Sequence, residues 1–449
     1  MSPKKKNPVW AFFASVKLAL FLLFILAATS IIGTIIPQSK PMEFYVHEYG
    51  ENMARLMHTL GIPDMYNSWW FLGLLTFFSL NLIVCSLERI PTVWNIIHKD
   101  NLDIDQAKLV RRKVKKEVTL RNQKDEVVSR VASFLKSKGW KPVQREKSDG
   151  VLIFAEKGPW TRFGVYIVHT SILIIFIGAI IGSPTVARKI LKDPTFAFKG
   201  SIMIPETRES DSIFAFDTGE KIPLGFIIRC NYFNIEYYSN GMPKEYLSDL
   251  TVIEDGKEVL HTRIEVNSPL TYRGITFYQS SYQPYNDFIV RVVNEKTGST
   301  FESVIPPAKQ IRWNESGIVF GILNTERLGD VVRRVKVWFT DNQGKPSIFW
   351  IEAGREAIVE RPSGKYVFSA KQLYATGLQV AKDPGVWFVY IGCGMMLLGL
   401  MVAFFMSHRK IWAYIREEDG ITRVLFVGSA NKNKLGFEKK FHGMLDDFS

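Results

Sequence analysis

Cysteine is scarce in this sequence, with three residues in 449: Cys85, Cys230 and Cys393. No Cys-x-x-Cys pair occurs, so the chain is neither a thioredoxin-like thiol oxidoreductase nor an acceptor of covalently attached c-type haem. Two of the three cysteines fall in long apolar stretches, and we therefore expect no intramolecular disulfide. We interpret all three as small buried hydrophobic residues. The alternative is that Cys85 or Cys230 contacts a cofactor or a redox partner.

The sequence also lacks the usual signatures of enzymes. It has no phosphate-binding glycine loop, no dinucleotide fingerprint, no Ser/His/Asp set and no paired-carboxylate motif. We therefore expect no catalytic residues and no independent enzymatic activity.

Long apolar runs are what the chain has in excess. Four are long enough for a bilayer core, which needs about 20 residues, and none contains an acidic residue or a lysine. They are Leu18 to Ile36, Trp69 to Leu87, Phe163 to Gly182 and Val386 to Met406. We predict four transmembrane helices. The first run could be a cleaved signal peptide, but it is too long and no small-x-small site follows it, so we interpret it as an uncleaved anchor.

Basic residues determine the predicted orientation. The N-terminus through Lys17 has four basic residues and no acidic one, and the loop 88–160 has 17 basic against 10 acidic residues. Basic residues near helix ends stay in the cytoplasm. Both termini and this loop are therefore expected inside, and 184–384 outside, which for a bacterial inner membrane means the periplasm. The formal net charge of +13 reflects this topology and gives no reason to expect nucleic-acid binding.

The resulting organisation has six parts. They are helices one and two with a short outer loop (1–90), a cytoplasmic α/β insert (91–160), helix three (161–184), a β-rich extracytoplasmic domain (185–384), helix four (385–407) and a cytoplasmic tail (408–449). In the β-rich part, strand-like runs alternate with turn signals, and residues 335–340 with 348–351 predict a hairpin. The predicted fold class is a four-helix membrane protein with a large β-rich domain, a sandwich or open barrel around one core, and a small α/β insert.

His169 is the most informative single residue, because it lies inside the third apolar run. Ionisable residues within membrane spans are rare and usually functional, and imidazole is a common axial ligand of haem iron. At about 100° per residue, Leu173 and Phe176 share its face, which forms an apolar wall suited to a porphyrin. Gly178 and Gly182 lie on nearly the opposite face and suit close helix packing. The alternative is a histidine that only hydrogen-bonds a neighbouring helix.

Arg162 precedes His169 by seven residues, which on a continuous helix places it on the same face about 10 Å lower. It is a candidate for a charge-assisted hydrogen bond to a haem propionate. The interpretation we favour is a snorkelling anchor at the inner interface. The other histidines lack a second ligand at metal-binding spacing, and we expect most of them to be solvated: His47, His58, His98, His261, His408 and His442.

A set of motifs resembles the ResB family. They run in order along essentially the whole chain: FASVKLAL (13–20), GTIIPQ (33–38), NSWWF (67–71), LNLIVCS (80–86), GVYIVH (164–169), YLSDL (246–250), VNSPL (266–270) and GITFYQSSY (274–282). The third-helix histidine of this family is regarded as a haem ligand, and it falls on His169.

The resemblance implies a role in system II cytochrome c maturation. It implies haem b as the bound and transported group, a CcsA-type (ResC) membrane protein as partner, and apocytochrome c as the acceptor. A thiol-reducing, thioredoxin-like protein is a further expected partner. The tryptophan-rich haem motif of the CcsA-type partner is absent here, so the chain resembles the unfused ResB half.

Two other functions stay open from the residues alone. A b-type membrane oxidoreductase normally needs two intramembrane histidines per haem, whereas this chain has one. A membrane-anchored scaffold or sensor would bind an outer ligand through its β-rich domain, with His169 purely structural.

Overall fold

The protein is described by a computed structural model that covers residues 7–38, 40, 42–238, 242–328, 331–418 and 420–448. Among these described residues, four helical segments are long and apolar enough to cross a membrane: Val16–Ile35, Trp69–His98, Pro159–Ile181 and Val386–Phe405. They overlap the four predicted apolar runs and confirm the four-helix prediction. The second helix continues well past its apolar run, so its last turns carry charged residues.

The helices, in chain order, are α1 (Pro8–Phe13), α2 (Val16–Ile35), α3 (Met42–Tyr49), α4 (Glu51–Thr59), α5 (Trp69–His98), α6 (Gln106–Val110), α7 (Lys124–Ser137), α8 (Gly164–Ile181), α9 (Pro184–Lys189), α10 (Val386–Phe405) and α11 (Lys434–Asp446). Short 3-10 turns, Ile62–Asn67 and Pro159–Phe163, precede α5 and α8.

The strands are β1 (Lys115–Leu120), β2 (Lys141–Lys147), β3 (Gly150–Lys157), β4 (Phe198–Pro205), β5 (Arg208–Ala215), β6 (Lys221–Tyr237), β7 (Pro243–Glu254), β8 (Lys257–Ile264), β9 (Leu270–Tyr272), β10 (Ile275–Asn294), β11 (Thr300–Ile305), β12 (Gln310–Trp313), β13 (Ile318–Leu328), β14 (Val331–Thr340), β15 (Ser347–Glu352), β16 (Glu356–Arg361), β17 (Gly364–Lys382), β18 (Arg409–Glu418) and β19 (Ile421–Ala430). The described residues form two compact units, one of residue 40 with 182–384 (the β unit) and one of the remaining helices and strands (the membrane unit).

In the membrane unit, α8 and α10 pack closely through glycine. A β-carbon on Gly178 would lie 2.8 Å from the carbonyl oxygen of Gly385, so the expected packing role of Gly178 is confirmed. A β-carbon on Gly182 would instead meet the carboxylate of Asp383. Only the first glycine of the predicted pair therefore serves this helix contact.

The N-terminal helix is broken between α1 and α2, and Asn81 of α5 holds the break. Its buried side-chain amide donates to the carbonyl oxygens of Phe13, 2.7 Å away, and Ser15, 3.2 Å away. Carbonyls at the end of a helix lack intrahelical partners, and Asn81 supplies one. This contact fixes where α2 starts along α5.

A five-stranded sheet in the order β1-β19-β18-β3-β2 combines the insert with the tail. Strand β3 pairs antiparallel with β18, and β1 with β19. Helices α7 and α11 cover one face with apolar side chains such as Val131 and Phe441. The α/β insert is thus confirmed, and residues 409–446, for which no structure was predicted, supply two further strands and a helix.

The β unit contains a ten-stranded and a four-stranded sheet, which confirms the β-rich prediction. The predicted hairpin is also present, since Val337 of β14 lies opposite Phe349 of β15. Instead of one core there are two hydrophobic clusters, around Ile228 and around Phe368. The long antiparallel pair β10 and β17 contributes side chains to both clusters and has register shifts between them.

Candidate functional site

His169 lies on α8 and meets the neighbouring helix α5. Its Nδ1 is 2.8 Å from the Oγ of Ser86, and the ring of Tyr166 meets its ring edge-on at 6.1 Å. When Nδ1 carries the proton and donates it to Ser86, Nε2 is the unprotonated nitrogen and can bind a metal. No described residue forms a hydrogen bond with Nε2. The structure thus combines the two alternatives, a helix-to-helix hydrogen bond and a nitrogen available as ligand.

A large cleft lies beside His169, between α2, α5 and α8. Its volume is about 1020 Å³, at the upper end of the roughly 300–1,000 Å³ typical of ligand pockets. Its walls are mostly apolar and include Leu26, Phe78 and Ile172, with Met396 contributed by α10. A cleft of this size and polarity, with one imidazole in its wall, fits a flat apolar ring that carries a metal.

Phe176 and Leu173 lie differently with respect to this cleft. Phe176 lines it and packs edge-on against Phe78, with ring centroids 6.0 Å apart. Leu173 packs against the apolar cluster of α2 and α5 and is not among the described residues that line the cleft. The cleft extends toward Ile172. At about 100° per residue, Ile172 and Leu173 lie on opposite sides of His169 around the axis of α8. Contact with a cofactor stays a prediction for both residues, and only Phe176 is among the described residues that line the cleft.

Arg162 lies in the 3-10 turn before α8, so the continuous-helix geometry assumed from its spacing is wrong. Its Nε donates to Nδ1 of His408 over 2.8 Å, and Nε2 of His408 is 2.8 Å from the carboxylate of Glu156. His408 is 1% exposed, unlike the solvated histidines expected. Arg162 also lines the cleft and therefore connects it to the five-stranded sheet.

Arg89 is a cleft-lining residue that the sequence analysis did not single out. It follows Ser86 by three residues on α5, and residues at this spacing share a helix face. Its side chain is exposed, and no described residue forms an ion pair or hydrogen bond with it. The apolar run ends before Arg89 although α5 continues beyond it, so a search for hydrophobic stretches does not include this residue. The Ser-x-x-Arg spacing at the end of that run is the signal that could have revealed it.

The cysteines occupy buried or half-buried positions, and all three are free. Cys85 is 6% exposed and lines the cleft next to Ser86. Cys230 is fully buried in the first core of the β unit. Burial raises the pKa of its thiol to about 12, and the Glu206 carboxylate adds to that shift. Its burial and its raised pKa favour the packing interpretation over a nucleophilic one.

The β unit has a groove of its own, of about 690 Å³, near Lys371. The ammonium of Lys371 pairs with the buried carboxylate of Glu206 and donates to the carbonyl of Phe233 over 2.5 Å. Glu206 also accepts the backbone N–H groups of Phe233, at 2.8 Å, and Tyr374, at 3.0 Å. These groups satisfy one another, so they hold β6 against β17 and do not require a ligand.

Known proteins resemble this chain over nearly its whole length. The ResB-like family matches residues 16–346 and 326–442. The cytochrome c biogenesis protein CcsB of Crocosphaera subtropica is 28% identical over 450 residues, which cover 96% of this chain and 92% of that protein. The protein of the same name from Gloeobacter violaceus is 29% identical over 465 residues, covering 98% of this chain and 91% of that protein. The family match includes both units, from the first span to the last helix, and this chain therefore belongs to the ResB-like family.

Proposed function

We propose that this protein handles haem b as its cargo in cytochrome c biogenesis and holds it in the cleft beside His169. The observation that carries this proposal is the hydrogen bond between Nδ1 of His169 and Ser86 at the wall of a large apolar cleft. Histidines that bind a metal usually donate their other ring N–H to an acceptor, which fixes the tautomer and the ring orientation. The names of the relatives, cytochrome c biogenesis protein CcsB, support the same role.

The residues of the cleft have separate tasks in this proposal. His169 supplies Nε2 to the iron, and Ser86 orients the imidazole by accepting from Nδ1 in the tautomer that leaves Nε2 unprotonated. Phe176 and the apolar side chains around it cover the ring and exclude water. An apolar environment of this kind also retains a hydrophobic cargo within the membrane.

A second protein completes the iron coordination. The four apolar runs contain a single histidine, His169, so a haem held between two histidines takes the second one from elsewhere. We assign that ligand to a CcsA-type (ResC) membrane partner. Apocytochrome c is the acceptor, with its thiols kept reduced by a thioredoxin-like protein. This chain is then an accessory subunit, and haem-attachment activity belongs to the complex.

The proposed location is the bacterial cytoplasmic membrane, with both termini in the cytoplasm and the β unit in the periplasm. The basic loop 88–160 supports the orientation. The pairing of β3 with β18 supports it as well, because β3 precedes the third span and β18 follows the fourth. Paired strands lie on one side of a membrane, which supports assigning the 182–384 segment between those spans to the other side.

The test is haem content, measured by absorption of the full chain purified with a coexpressed CcsA-type partner. We expect the Soret band to be lost in His169→Ala and retained in His98→Ala, with the complex assembled in both. His98 is a matched control, because it is an exposed histidine on α5 that stacks on Trp94 outside the cleft. Added imidazole should restore haem to His169→Gly, which a purely structural role of the histidine would not produce.

Other outcomes would point elsewhere. Unchanged haem occupancy in His169→Ala would make the ligand assignment wrong. An intact complex without haem in any sample would favour a scaffold or sensor that binds an outer ligand through the β unit. A redox-active haem bound stoichiometrically by this chain alone would favour a b-type oxidoreductase.

A further inference from the structure

The charges that line the cleft are of one sign. Among the described residues in its wall, Arg89 and Arg162 are charged and none is acidic. Neither arginine is in an ion pair with a described carboxylate, whereas Arg188 and Arg334 each pair with one and Arg229 with two. Two cations without carboxylate partners beside an apolar cleft favour an anionic ligand.

The helices α5 and α8 run antiparallel along the cleft. In the first half of α5, Phe78 meets Phe176 in the second half of α8, with ring centroids 6.0 Å apart. Near the end of α5, Trp94 meets Phe163 just before α8, with centroids 6.3 Å apart. The last turns of α5 therefore lie beside the first turn of α8.

Both arginines consequently lie at the same end of the cleft. Arg89 follows Ser86, the hydrogen-bond partner of His169, by three residues, which is about 4.5 Å along α5 toward its C-terminus. Arg162 lies two residues before the start of α8, on the N-terminal side of His169. The iron ligand and the two guanidinium groups thus occur in sequence along the cleft, with both cations on one side of the ligand.

The guanidinium of Arg162 is held in place by one of its five N–H groups. Its Nε donates to His408, which is buried and is itself hydrogen-bonded to Glu156. The four N–H groups on its two Nη atoms have no described partner and remain available to a carboxylate. His408 is therefore a positioning residue for Arg162.

Building on the proposed haem cargo, we infer that Arg89 and Arg162 form a clamp for its two propionate carboxylates, one carboxylate to each guanidinium. A guanidinium matches a carboxylate through two parallel N–H···O bonds, and such charge-assisted pairs are strong and directional. The clamp also determines how the ring lies. Its carboxylate edge is at the arginine end, and its vinyl-bearing edge is directed toward the apolar end of the cleft, near Phe71 and Ala179.

Three iron porphyrins separate the contribution of the carboxylates from that of the ring. Haem b has both carboxylates and vinyl groups, haem dimethyl ester has no negative charge on its side chains, and deuterohaem keeps the carboxylates but has no vinyl groups. We would titrate each into the haem-free full chain in detergent and follow the Soret band. We expect deuterohaem to bind within about threefold of haem b, and the dimethyl ester to bind at least about tenfold more weakly.

Variants connect this selectivity to the two arginines. Arg89→Gln and Arg162→Gln should each weaken haem b binding about tenfold and leave dimethyl ester binding unchanged. Arg89→Lys should recover part of the loss, because it restores the charge without the planar fork. Arg111→Gln is the matched control, since Arg111 is an exposed arginine outside the cleft. The thermal unfolding midpoint of each variant checks that the fold is retained.

The outcomes distinguish the clamp from the haem-binding function itself. If the dimethyl ester binds as tightly as haem b while His169→Ala abolishes binding, the clamp is wrong and haem binding at His169 stands. If the arginine variants weaken the ester and haem b equally, the arginines act through the fold and the clamp is again wrong. If no form of the chain binds haem b, alone or with its partner, both inferences fall together.

Discussion

The Oγ of Ser86 and the Nδ1 of His169 lie 2.8 Å apart, although 83 residues separate them in the chain. This hydrogen bond connects α5 to the one face of α8 that carries an ionisable residue. In the tautomer that protonates Nδ1, the same bond leaves Nε2 as the nitrogen that our proposal assigns to the iron. A single serine thus contacts two spans and orients the residue on which the proposal depends.

Replacement of that serine is the first prediction. Ser86→Ala removes the acceptor for the Nδ1 proton and lets the imidazole rotate, so haem affinity should fall by about tenfold, as for other residues that orient a metal ligand. Ser79→Ala is the control, because Ser79 is on the same helix and bonds to the carbonyl of Leu75. The measurement is a Soret titration of both variants. Equal affinities would mean that the hydrogen bond has no part in ligation.

The second prediction concerns the contact between α8 and α10. A β-carbon on Gly392 would lie 2.5 Å from Cγ1 of Ile175 and 2.9 Å from the carbonyl oxygen of Ser171. Gly392→Ala should therefore force the two helices apart and destabilise the protein by about 1–3 kcal/mol. Gly394 has no atom within 4 Å of the same position, so Gly394→Ala should be neutral. Thermal unfolding midpoints in one detergent compare the two variants, and a similar loss in both would contradict the packing described for α8 and α10.

The third prediction concerns thiol reactivity. Burial raises the pKa of Cys230 to about 12, so about one molecule in ten thousand carries the thiolate at pH 8. Iodoacetamide should leave Cys230 unmodified in the native protein and alkylate it after denaturation, as read by peptide mass spectrometry. Ser268→Cys places a thiol at an exposed position of the same unit and should react in the native state. Rapid native labelling of Cys230 would instead support a redox role.

The fourth prediction is a pH dependence that originates at His408. Burial lowers the pKa of its imidazole, and the nearby Lys410 and Arg162 lower it further, while Glu156 acts in the opposite direction. A base with a lowered pKa binds fewer protons in the folded than in the unfolded state. The contribution of His408 to stability is therefore fully present above about pH 6.5, the pKa of an unperturbed histidine. It is lost as the pH falls through the lower pKa that His408 has in the folded state.

The measurement is the unfolding midpoint of the full chain between pH 8 and pH 5. The native protein should lose stability on the acid side, because protonated Nδ1 can no longer accept from Arg162. His408→Gln should flatten that part of the profile, whereas His98→Gln, at an exposed position, should not. An unchanged slope in His408→Gln would assign the acid sensitivity to other groups.

The parts of this molecule that the sequence predicts are those with a local cause. The four spans follow from length and hydropathy, because lipid requires every backbone group to be bonded within the helix. His169 stands out because an imidazole within such a span is unusual. The residues around it do not stand out, since its partner Ser86, the cleft-lining Arg89 and the Arg162 partner His408 all come from other elements. No pattern in a single sequence connects residues that are so far apart along the chain.

The tail illustrates the same limit. Aliphatic residues occupy every second position from 411 to 415, namely Ile411, Ala413 and Ile415, as in a strand. The residues between them are buried as well, as expected for a strand that lies between two others. Its apolar run is too short for a span, and its partner strand β3 lies on the far side of the β unit in sequence. The fold of the tail became clear only from its pairing with the insert.

That pairing has a consequence for how the protein is made. Strand β18 lies between β3 and β19, and β1 pairs with β19 alone, so the middle of the sheet comes from residues that the ribosome adds after the fourth span. Until then the insert consists of a single hairpin, β2 with β3, and an unpaired β1. Completion of the sheet therefore reports that the last span has been inserted in the correct direction. A chain stalled before residue 409, or inserted with the wrong topology, would leave exposed strand edges of the kind that promote aggregation and attract proteases.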